Sequence, residues 1–495
     1  MLQGGGVSGN AYLMWTPATP ISAGDSVIDA NGNTETAENA GITASGSGPL
    51  WTRQLGGLTT DNGITWKLTA LNSAAGCSYP QDLFFTPAND NDVRHSVVKN
   101  HVLAWNGGNL GPRDWYIDFE NVGGHGNFVI YVAENPAHYR VELTLVPQAF
   151  VVRGPNVRIL NLTIEKFATP NLHGSVEPEG MNDIVANNWI THSHGEGIEL
   201  HLPSAVDVTI DSNEVVEMGE SGINTGDGRA TRVINNRIER NNEDGTAYGY
   251  EAGGTKFAND SNTLVRGNIV SCNNGNGLWG DAGEEGAIYA DNRVAHNLYN
   301  GITYEISHHG AIVRNILTDN AQSNACQCIA AHLPVLNGHD VCTGFQTCSG
   351  SDCSLCTDGK NEIYIHTSDT TTVGGSARNG NVITSNCAGI QINQDGRLRV
   401  HGNTVSYNTL ILHTGSGVIN TPLGGYDQTF GFGFDMYAPS SANSFEHNSY
   451  RFDTRVASRV NKQWQWKGSD GSTNQACNWS AWQEHGQDLH GSVIP

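Results

Sequence analysis

Charge is scarce in this chain, and positive charge scarcest of all. Charged residues make up 15 %, with Lys+Arg 26 against Asp+Glu 49 and a formal net charge of −23, where an average globular chain is ~25 % charged. A nucleic-acid-binding surface needs a basic stripe, and none is present; the same deficit excludes an anionic membrane surface. Apolar runs approaching the ~18 residues of a membrane helix are missing. The start, Met1-Leu-Gln-Gly-Gly-Gly6, has neither the basic nor the apolar segment of a signal peptide. The expectation is therefore a secreted protein whose signal lies outside this sequence, or a virion-associated one. Glycine is what abounds, at 60 of 495 residues against a usual ~7 %. There is no Gly-X-Y period, so the chain is not collagen. With 38 % apolar residues and 11 Trp it can build a core, which excludes wholesale disorder. A turn-rich β protein remains.

Self-similarity dominates the sequence. Asn-x-(Val/Ile/Leu) recurs at Asn188, Asn213, Asn236, Asn268, Asn292, Asn315, Asn381 and Asn403. The first six are spaced by 25, 23, 32, 24 and 23 residues. A second Asn follows five residues later at Asn241, Asn273, Asn297, Asn320, Asn386 and Asn408. Glycine then opens a short strand, as in Gly197-Ile-Glu-Leu-His201, Gly222-Ile-Asn-Thr-Gly226, Gly254-Thr-Lys-Phe-Ala258, Gly277-Leu-Trp-Gly-Asp281, Gly301-Ile-Thr-Tyr-Glu305 and Gly389-Ile-Gln-Ile-Asn393. A period of about 24 fits coils of short strands joined by bends, stacked at the ~4.8 Å strand spacing. Asn and Gly tolerate left-handed backbone at bends, and stacked Asn side chains can form hydrogen-bonded ladders. Leucine-rich repeats share the period, but their Leu-x-x-Leu-x-Leu signature is absent.

These repeats resemble right-handed parallel β-helix proteins of the pectate-lyase-like superfamily, over roughly residues 130–450. The most specific stretches are Val157-Arg-Ile-Leu-Asn-Leu-Thr-Ile-Glu-Lys-Phe167, Glu251-Ala-Gly-Gly-Thr-Lys-Phe257, Gly277-Leu-Trp-Gly-Asp281 and Tyr304-Glu-Ile-Ser307. The resemblance implies an all-β solenoid; its superfamily hosts lyases, hydrolases, epimerases and viral adhesins. The expected organisation is a small β module over 1–72, a connecting or capping region over 73–129, the β-helix over 130–450 and a Trp-rich cap over 451–495. In the first module Trp15, Trp51 and Trp66 frame the turns at Asp29-Ala-Asn-Gly32 and Asp61-Asn-Gly-Ile64, which read as hairpins. It resembles the short Trp-framed modules of phage virion proteins and secreted hydrolases, with its tryptophans packing a core rather than stacking on sugars.

Six of ten cysteines crowd into an insertion at 324–358: Cys326, Cys328, Cys342, Cys348, Cys353 and Cys356. A C-x-C and a C-x-x-C admit zinc, but the spacing fits no zinc pattern and the surroundings are Ser, Gly and Thr. An extracellular loop pinned by disulfides is the plainer reading, and its place after Glu305 would let it overhang the neighbouring face.

Alternation within the Gly-opened strands places the first residue after Gly in the core and the second and fourth outside. The second positions are Glu199, Asn224, Lys256, Trp279, Thr303 and Gln391; the fourth include His201, Asp281, Glu305 and Asn393. Glu362-Ile-Tyr-Ile-His366 adds Tyr364 and His366. An indole beside paired acids is what a sugar-binding groove needs. Asp281 and Glu305 occupy equivalent places one coil apart, close enough for one pKa to rise and for an acid and a base or nucleophile to flank a glycosidic bond. Their bland alternative is pairing with loop backbone or with Lys256. Lys256 suggests the rival chemistry, proton abstraction from a uronate with Ca²⁺ held by Asp281 and Glu305. Neighbouring carboxylates would raise its pKa, the wrong direction for a base. The insertion Asn242–Glu251 brings Tyr248, Tyr250 and Glu251 toward Lys256, or is a plain surface excursion. His192, His194, His308 and His309 read as solvated turn residues.

The reading that follows is an enzyme cleaving a polysaccharide. Hydrolysis by Asp281 and Glu305 is favoured and needs no cofactor. Trp279, Glu199, His201, Asn224, Tyr364, His366, Tyr250 and Glu251 would contact substrate. A Ca²⁺-dependent uronate lyase with Lys256 as base and a non-catalytic glycan-binding virion protein are the alternatives. Neither nucleic acid nor membrane is an expected partner, and the oligomeric state, monomer or trimer, stays open.

Overall fold

A computed structural model describes residues 13–29, 34–46, 48–52, 56–70, 82–87, 97–98, 100–101, 110, 114–118, 129–133, 135–144, 146–320, 328–329, 344–345, 361–385, 388–394, 400–412, 423–427, 439–452, 464–466, 475–477, 479–484 and 486–494. The chain divides into two compact units, Met1–Tyr79 with Val102–Gly108 and Pro80–His101 with Asn109–Pro495. No helix among the described residues is long and apolar enough to cross a membrane.

In the first unit a five-stranded sheet runs in the order Leu13–Met14, Ser26–Ile28, Thr34–Ala37, Ile64–Ala70, Leu58–Asp61. The Asn62-Gly63 turn joins its last two strands, with both residues at positive φ, as a two-residue hairpin requires. The turn at 29–32 falls largely outside the described residues. Trp66 is fully buried with Val27, Ala37 and Ile64, and Trp15 and Trp51 pack against it. Trp51 meets Trp66 edge to face at 5.8 Å, and the Trp15 indole donates to Asp61 at 2.7 Å. These tryptophans form a core.

In the second unit the chain winds through three parallel sheets of 12, 10 and 11 strands among the described residues. One coil shows the plan: Gly253–Ala258 in sheet one, Leu264–Arg266 in sheet two, Ile269–Ser271 in sheet three. The next coil, Leu278–Asp281, Ile288–Ala290 and Arg293–Ala295, repeats it in register, with Phe257 beside Gly280, Val265 beside Tyr289 and Val270 beside Val294. Inward residues make one continuous core, from Ile159 and Val176 through Ile238, Tyr289 and Ile312 to Trp464 and Trp482. Sheet one ends in an antiparallel pair, Trp464–Trp466 with Gln475–Cys477, beyond which comes the only α-helix among the described residues, Trp479–Glu484. Of the cysteine-rich insertion, only Cys328–Ile329 and Gly344–Phe345, paired antiparallel, are described; the expected disulfides lie outside the described residues.

The bends between sheets two and three carry the repeat's signature. Asn188, Asn213, Asn236, Asn268, Asn292 and Asn315 are all buried. The Asn188 Oδ1 accepts only the Leu162 N–H; from Asn213 on, each Oδ1 accepts two hydrogen bonds, from the backbone N–H and the side-chain amide of the preceding coil's Asn. At Asn268 these come from Asn236 at 2.8 and 3.1 Å. The Asn268 amide in turn donates to Val233 O at 2.8 Å and to Asn292 at 3.0 Å. The ladder continues through Asn381, Asn408 and Asn448 to Asp488. A second ladder, Asn241, Asn273, Asn297 and Asn320, ends on Glu362. Two expectations need correction. Left-handed backbone belongs to the residue before each ladder Asn, namely Asn187, Ser212, Asn235, Gly267, Asp291 and Arg314, while the ladder Asn supplies its side chain. Asn403 is also out of phase: it precedes a sheet-two strand, Thr404–Ser406, and pairs with Asn443. Asn408 takes the ladder place, because both bends of that coil carry an Asn before a strand.

His192 and His194 are not solvated turn residues either; both are 5 % exposed. The peptide folds Asp82 and Asp244 onto the His194 ring, at 3.2 and 2.9 Å from Nδ1. Burial works against the imidazolium, but hydrogen bonding to both carboxylates holds its pKa up at about 10. His309 is exposed beside Glu285, and His308 pairs with Asp369.

Two predictions follow from these contacts. Asn268→Ala should cost about 3 kcal/mol or more in chemical denaturation, at about 1–3 kcal/mol for each buried group left unpaired. The His194 imidazolium, ordinarily titrating near 6.5, contributes stability that is complete below that value and lost as pH rises through about 10. The decline in melting temperature between neutral pH and pH ~10 should accordingly be shallower in His194→Gln.

Candidate functional site

The outward face of sheet one brings most of the expected residues into two neighbourhoods. The first centres on Lys256 in Gly253–Ala258. Its Nζ lies 3.1 Å from Asp281 Oδ2 and 3.3 Å from Glu251 Oε2, and donates to the Tyr250 carbonyl at 2.6 Å. The ammonium also sits 4.3 Å from the centre of the Trp279 ring. The insertion is therefore no plain surface excursion: it folds back and delivers Tyr250 and Glu251 to Lys256. Asp281 Oδ1 accepts from the Ala282 N–H at 2.6 Å. Burial pushes the Asp281 carboxyl above its ordinary range and the Glu305 charge adds to this, against the opposing pull of Lys256. Burial disfavours the Lys256 charge, yet Glu251 and Asp281 together hold its pKa above the usual lysine value.

One coil further on, Glu305, His366 and Asn393 stand side by side in register. Glu305 Oε1 lies 2.7 Å from His366 Nδ1, and the Tyr364 ring stacks on that imidazole at 5.2 Å. The Tyr364 hydroxyl accepts from the Asn393 amide at 2.7 Å. Asp281 and Glu305 thus share a column but have different partners, an ammonium for one and an imidazole for the other.

Glu199 and His201 stand apart from both groups, while Asn224, beside Lys256 in register, accepts the Lys256 N–H at 2.8 Å. His201 Nδ1 is 3.0 Å from Glu179 Oε1 and 3.5 Å from Glu199 Oε2, and hydrogen bonding to these carboxylates pushes its pKa up to about 10. Asn224 donates to Glu196 at 2.6 Å. Burial, with the charges of Glu199 and Glu220, raises the Glu196 carboxyl well above its ordinary value.

The expected open face is corrected in one respect. Trp279 is 4 % exposed and Lys256 7 %, so the indole is not a free stacking platform: the ammonium occupies it. The aromatic faces left open nearby are Tyr248 and Tyr250, the latter 60 % exposed. Sequence reasoning missed His173, Glu177 and Glu179 because their strand, Gly174–Pro178, has its glycine out of step. Gly174 pairs with Glu196 and Val176 with Ile198, so Glu177, not the second residue after Gly174, is the neighbour of Glu199.

The three stacked parallel sheets make the second unit a parallel β-helix. Residues 174–333 match the family described as a right-handed beta helix region. No curated protein matches the chain by sequence. Among solved structures, a complex of XylC with xylose aligns with a TM-score of 0.43 and 11 % identity, over 75 % of this chain and 64 % of that one, so the chain spans less than two thirds of that protein. A mutant DFA-IIIase from Arthrobacter chlorophenolicus A6 aligns with a TM-score of 0.35 and 15 % identity, over 62 % of this chain and 67 % of that one. The Dettilon tailspike protein (gp208) aligns with a TM-score of 0.33 and 14 % identity, over 59 % of this chain and 62 % of that one.

Lys256 neutralises two carboxylates at once, so its removal should be costly. Lys256→Met should destabilise the fold by about 3–5 kcal/mol, the range for stripping one partner from a buried ion pair. Adding Glu251→Gln and Asp281→Asn should restore a measurable part of the loss in urea denaturation.

Proposed function

We propose that the protein is a carbohydrate-active β-helix enzyme that hydrolyses a polysaccharide, with Asp281 as the proton donor and Glu305 as base or nucleophile. The observation that carries this reading is the divergent setting of two carboxyls in one column. Burial raises the Asp281 carboxyl above its ordinary range in spite of the Lys256 ammonium, with the Glu305 charge adding to the rise, the direction a general acid requires. Glu305 is held by the His366 imidazole at 2.7 Å, which fixes the direction of its carboxyl. Two carboxyls flanking the scissile bond, one as acid and one as base or nucleophile, are the working parts of glycoside hydrolysis.

The remaining roles follow from contacts. Lys256 positions Asp281 and is buttressed by Glu251. Tyr364 fixes the His366 ring by stacking. Tyr248 and Tyr250 offer exposed aromatic faces for pyranose rings, taking the part first expected of Trp279. Proton abstraction by Lys256 is disfavoured, because Glu251 and Asp281 raise its pKa and keep it charged. No cation is needed for the hydrolytic step as written.

Incubation with a panel of polysaccharides, with and without chelator, tests the assignment. New reducing ends without unsaturated-uronate absorbance are the expected result. Chelator-sensitive absorbance would replace hydrolysis with elimination, and binding without either product would leave a glycan-gripping protein. Asp281→Asn and Glu305→Gln should each lower kcat about 10²–10⁴-fold, the usual worth of general acid–base catalysis, with an unchanged circular dichroism spectrum. Full activity in both variants would remove the pair from the mechanism.

A further inference from the structure

The coils upstream of Lys256 present a second constellation that hydrolysis does not use. Glu177 and Glu199 are neighbours across the sheet-one ladder, one residue beyond the Val176–Ile198 pair. His173 Nδ1 lies 2.8 Å from Glu177 Oε1, and His201 Nδ1 lies 3.5 Å from Glu199 Oε2. The two imidazoles meet edge to face, with ring centres 5.6 Å apart. One donor atom from each of His173, Glu177, Glu199 and His201 falls within 4.8 Å of all the others.

Burial sharpens what this arrangement asks for. The Glu177 and Glu199 side chains are only 3 % and 11 % exposed, while those of His173 and His201 are 44 % and 33 % exposed. Carboxylates form the floor and imidazoles the rim, so the cluster is open to solvent on the histidine side. Glu199 as a residue is nine-tenths buried, and its Oε2, 3.5 Å from His201 Nδ1, has no better-placed donor. Fully buried Glu179 adds a third carboxylate, 3.0 Å from His201 Nδ1. Glu177 Oε1 accepts from the Gln148 amide and faces His173, and Glu179 Oε1 accepts the His201 backbone N–H at 3.3 Å; three buried carboxylates with so few donors are costly, and a bound cation would compensate them.

We propose that His173, Glu177, Glu199 and His201 form a binding site for one divalent first-row transition-metal ion, of which zinc is the probe. Two imidazoles and two carboxylates are a donor set for such ions, whereas calcium prefers oxygen ligands alone. Tetrahedral zinc with ligands at 2.0–2.1 Å holds them about 3.3 Å apart. Side-chain rotation closes the present spacing, since both rings stand at the exposed rim. Glu199 and His201 are then metal ligands rather than the sugar contacts expected from their outward positions. The site stands whether or not the Asp281 and Glu305 pair hydrolyses glycans, because its ligands belong to different coils.

Zinc titration calorimetry on chelator-stripped, full-length protein, with elemental analysis after desalting, tests the proposal. The expected result is one zinc per chain, undisturbed by tenfold excess calcium, and a zinc-dependent rise in melting temperature. His173→Gln and His201→Gln should each weaken binding at least tenfold and together abolish the rise, with the circular dichroism spectrum unchanged. Glu199→Gln, which keeps the shape and removes the charge, should weaken it as well. The more exposed cluster of Glu446, His447 and His490 serves as the control, and His447→Gln with His490→Gln should leave the affinity unchanged. Absence of zinc binding, binding unaltered by both upstream histidine variants, or its loss only in the control variant would overturn the proposal.

Discussion

Everything in the β-helix depends on burying polar bends without leaving a donor or acceptor unmatched. A coil of about 24 residues cannot close with hydrogen bonds inside itself, since its strands pair only with the coils above and below. The bends must turn into the core, and each carries peptide groups with no strand partner. The asparagine ladders meet that need. One Oδ1 takes both the backbone N–H and the amide of the preceding rung, and the amide returns to a carbonyl further back, as in the Asn236, Asn268 and Asn292 series. Because each rung fixes the next, coils stack in register, and register puts outward side chains into columns. The columns then set the chemistry: Lys256 against Asp281, Glu305 against His366, Glu177 against Glu199.

The scarcity of charge takes on a different meaning in this setting. Acids concentrate on one sheet face, many of them partly or fully buried, where burial rather than bulk solvent sets their protonation. Glu284, deep beneath that face, takes a hydrogen bond from the Tyr289 hydroxyl at 2.7 Å, and burial raises its pKa well above the ordinary range. Few cations are available there, and each serves several acids. Lys256 serves two, and His194 is clasped by two more. The net charge of −23 is thus distributed as a set of local imbalances, each answered by one nearby positive group or by a held proton.

The fold was legible because its constraint is local and repeated. An Asn before a short apolar strand recurs once per coil, and Asn188 through Asn381 all sit where that spacing places them. Asn403 was misplaced because two bends of one coil carry the same local signature, and only cross-coil pairing tells them apart. The candidate site was legible in part. Alternation placed Lys256, Asp281, Glu305 and His366 correctly on the outward face, since one residue's direction determines the next. What alternation could not reveal is what lies over a side chain. Trp279 reads as an open indole until the insertion and Lys256 close over it, and His194 reads as a turn residue until Asp82, far away in sequence, meets it. The His173 and Glu177 positions were hidden by a glycine one residue out of phase.

The ladders also have a direction. Every rung donates toward the next coil, and each chain of amides stops at a carboxyl, Glu362 for one and Asp488 for the other. An interior coil has the same input and output as its neighbours, so it can be duplicated or deleted without disturbing the rest. A coil that receives a ladder's last rung has no such freedom, because it must supply two acceptor oxygens. Copy number in this solenoid can therefore drift only among the Asn rungs, with the Glu362 coil part-way along and Asp488 near the end as fixed stops.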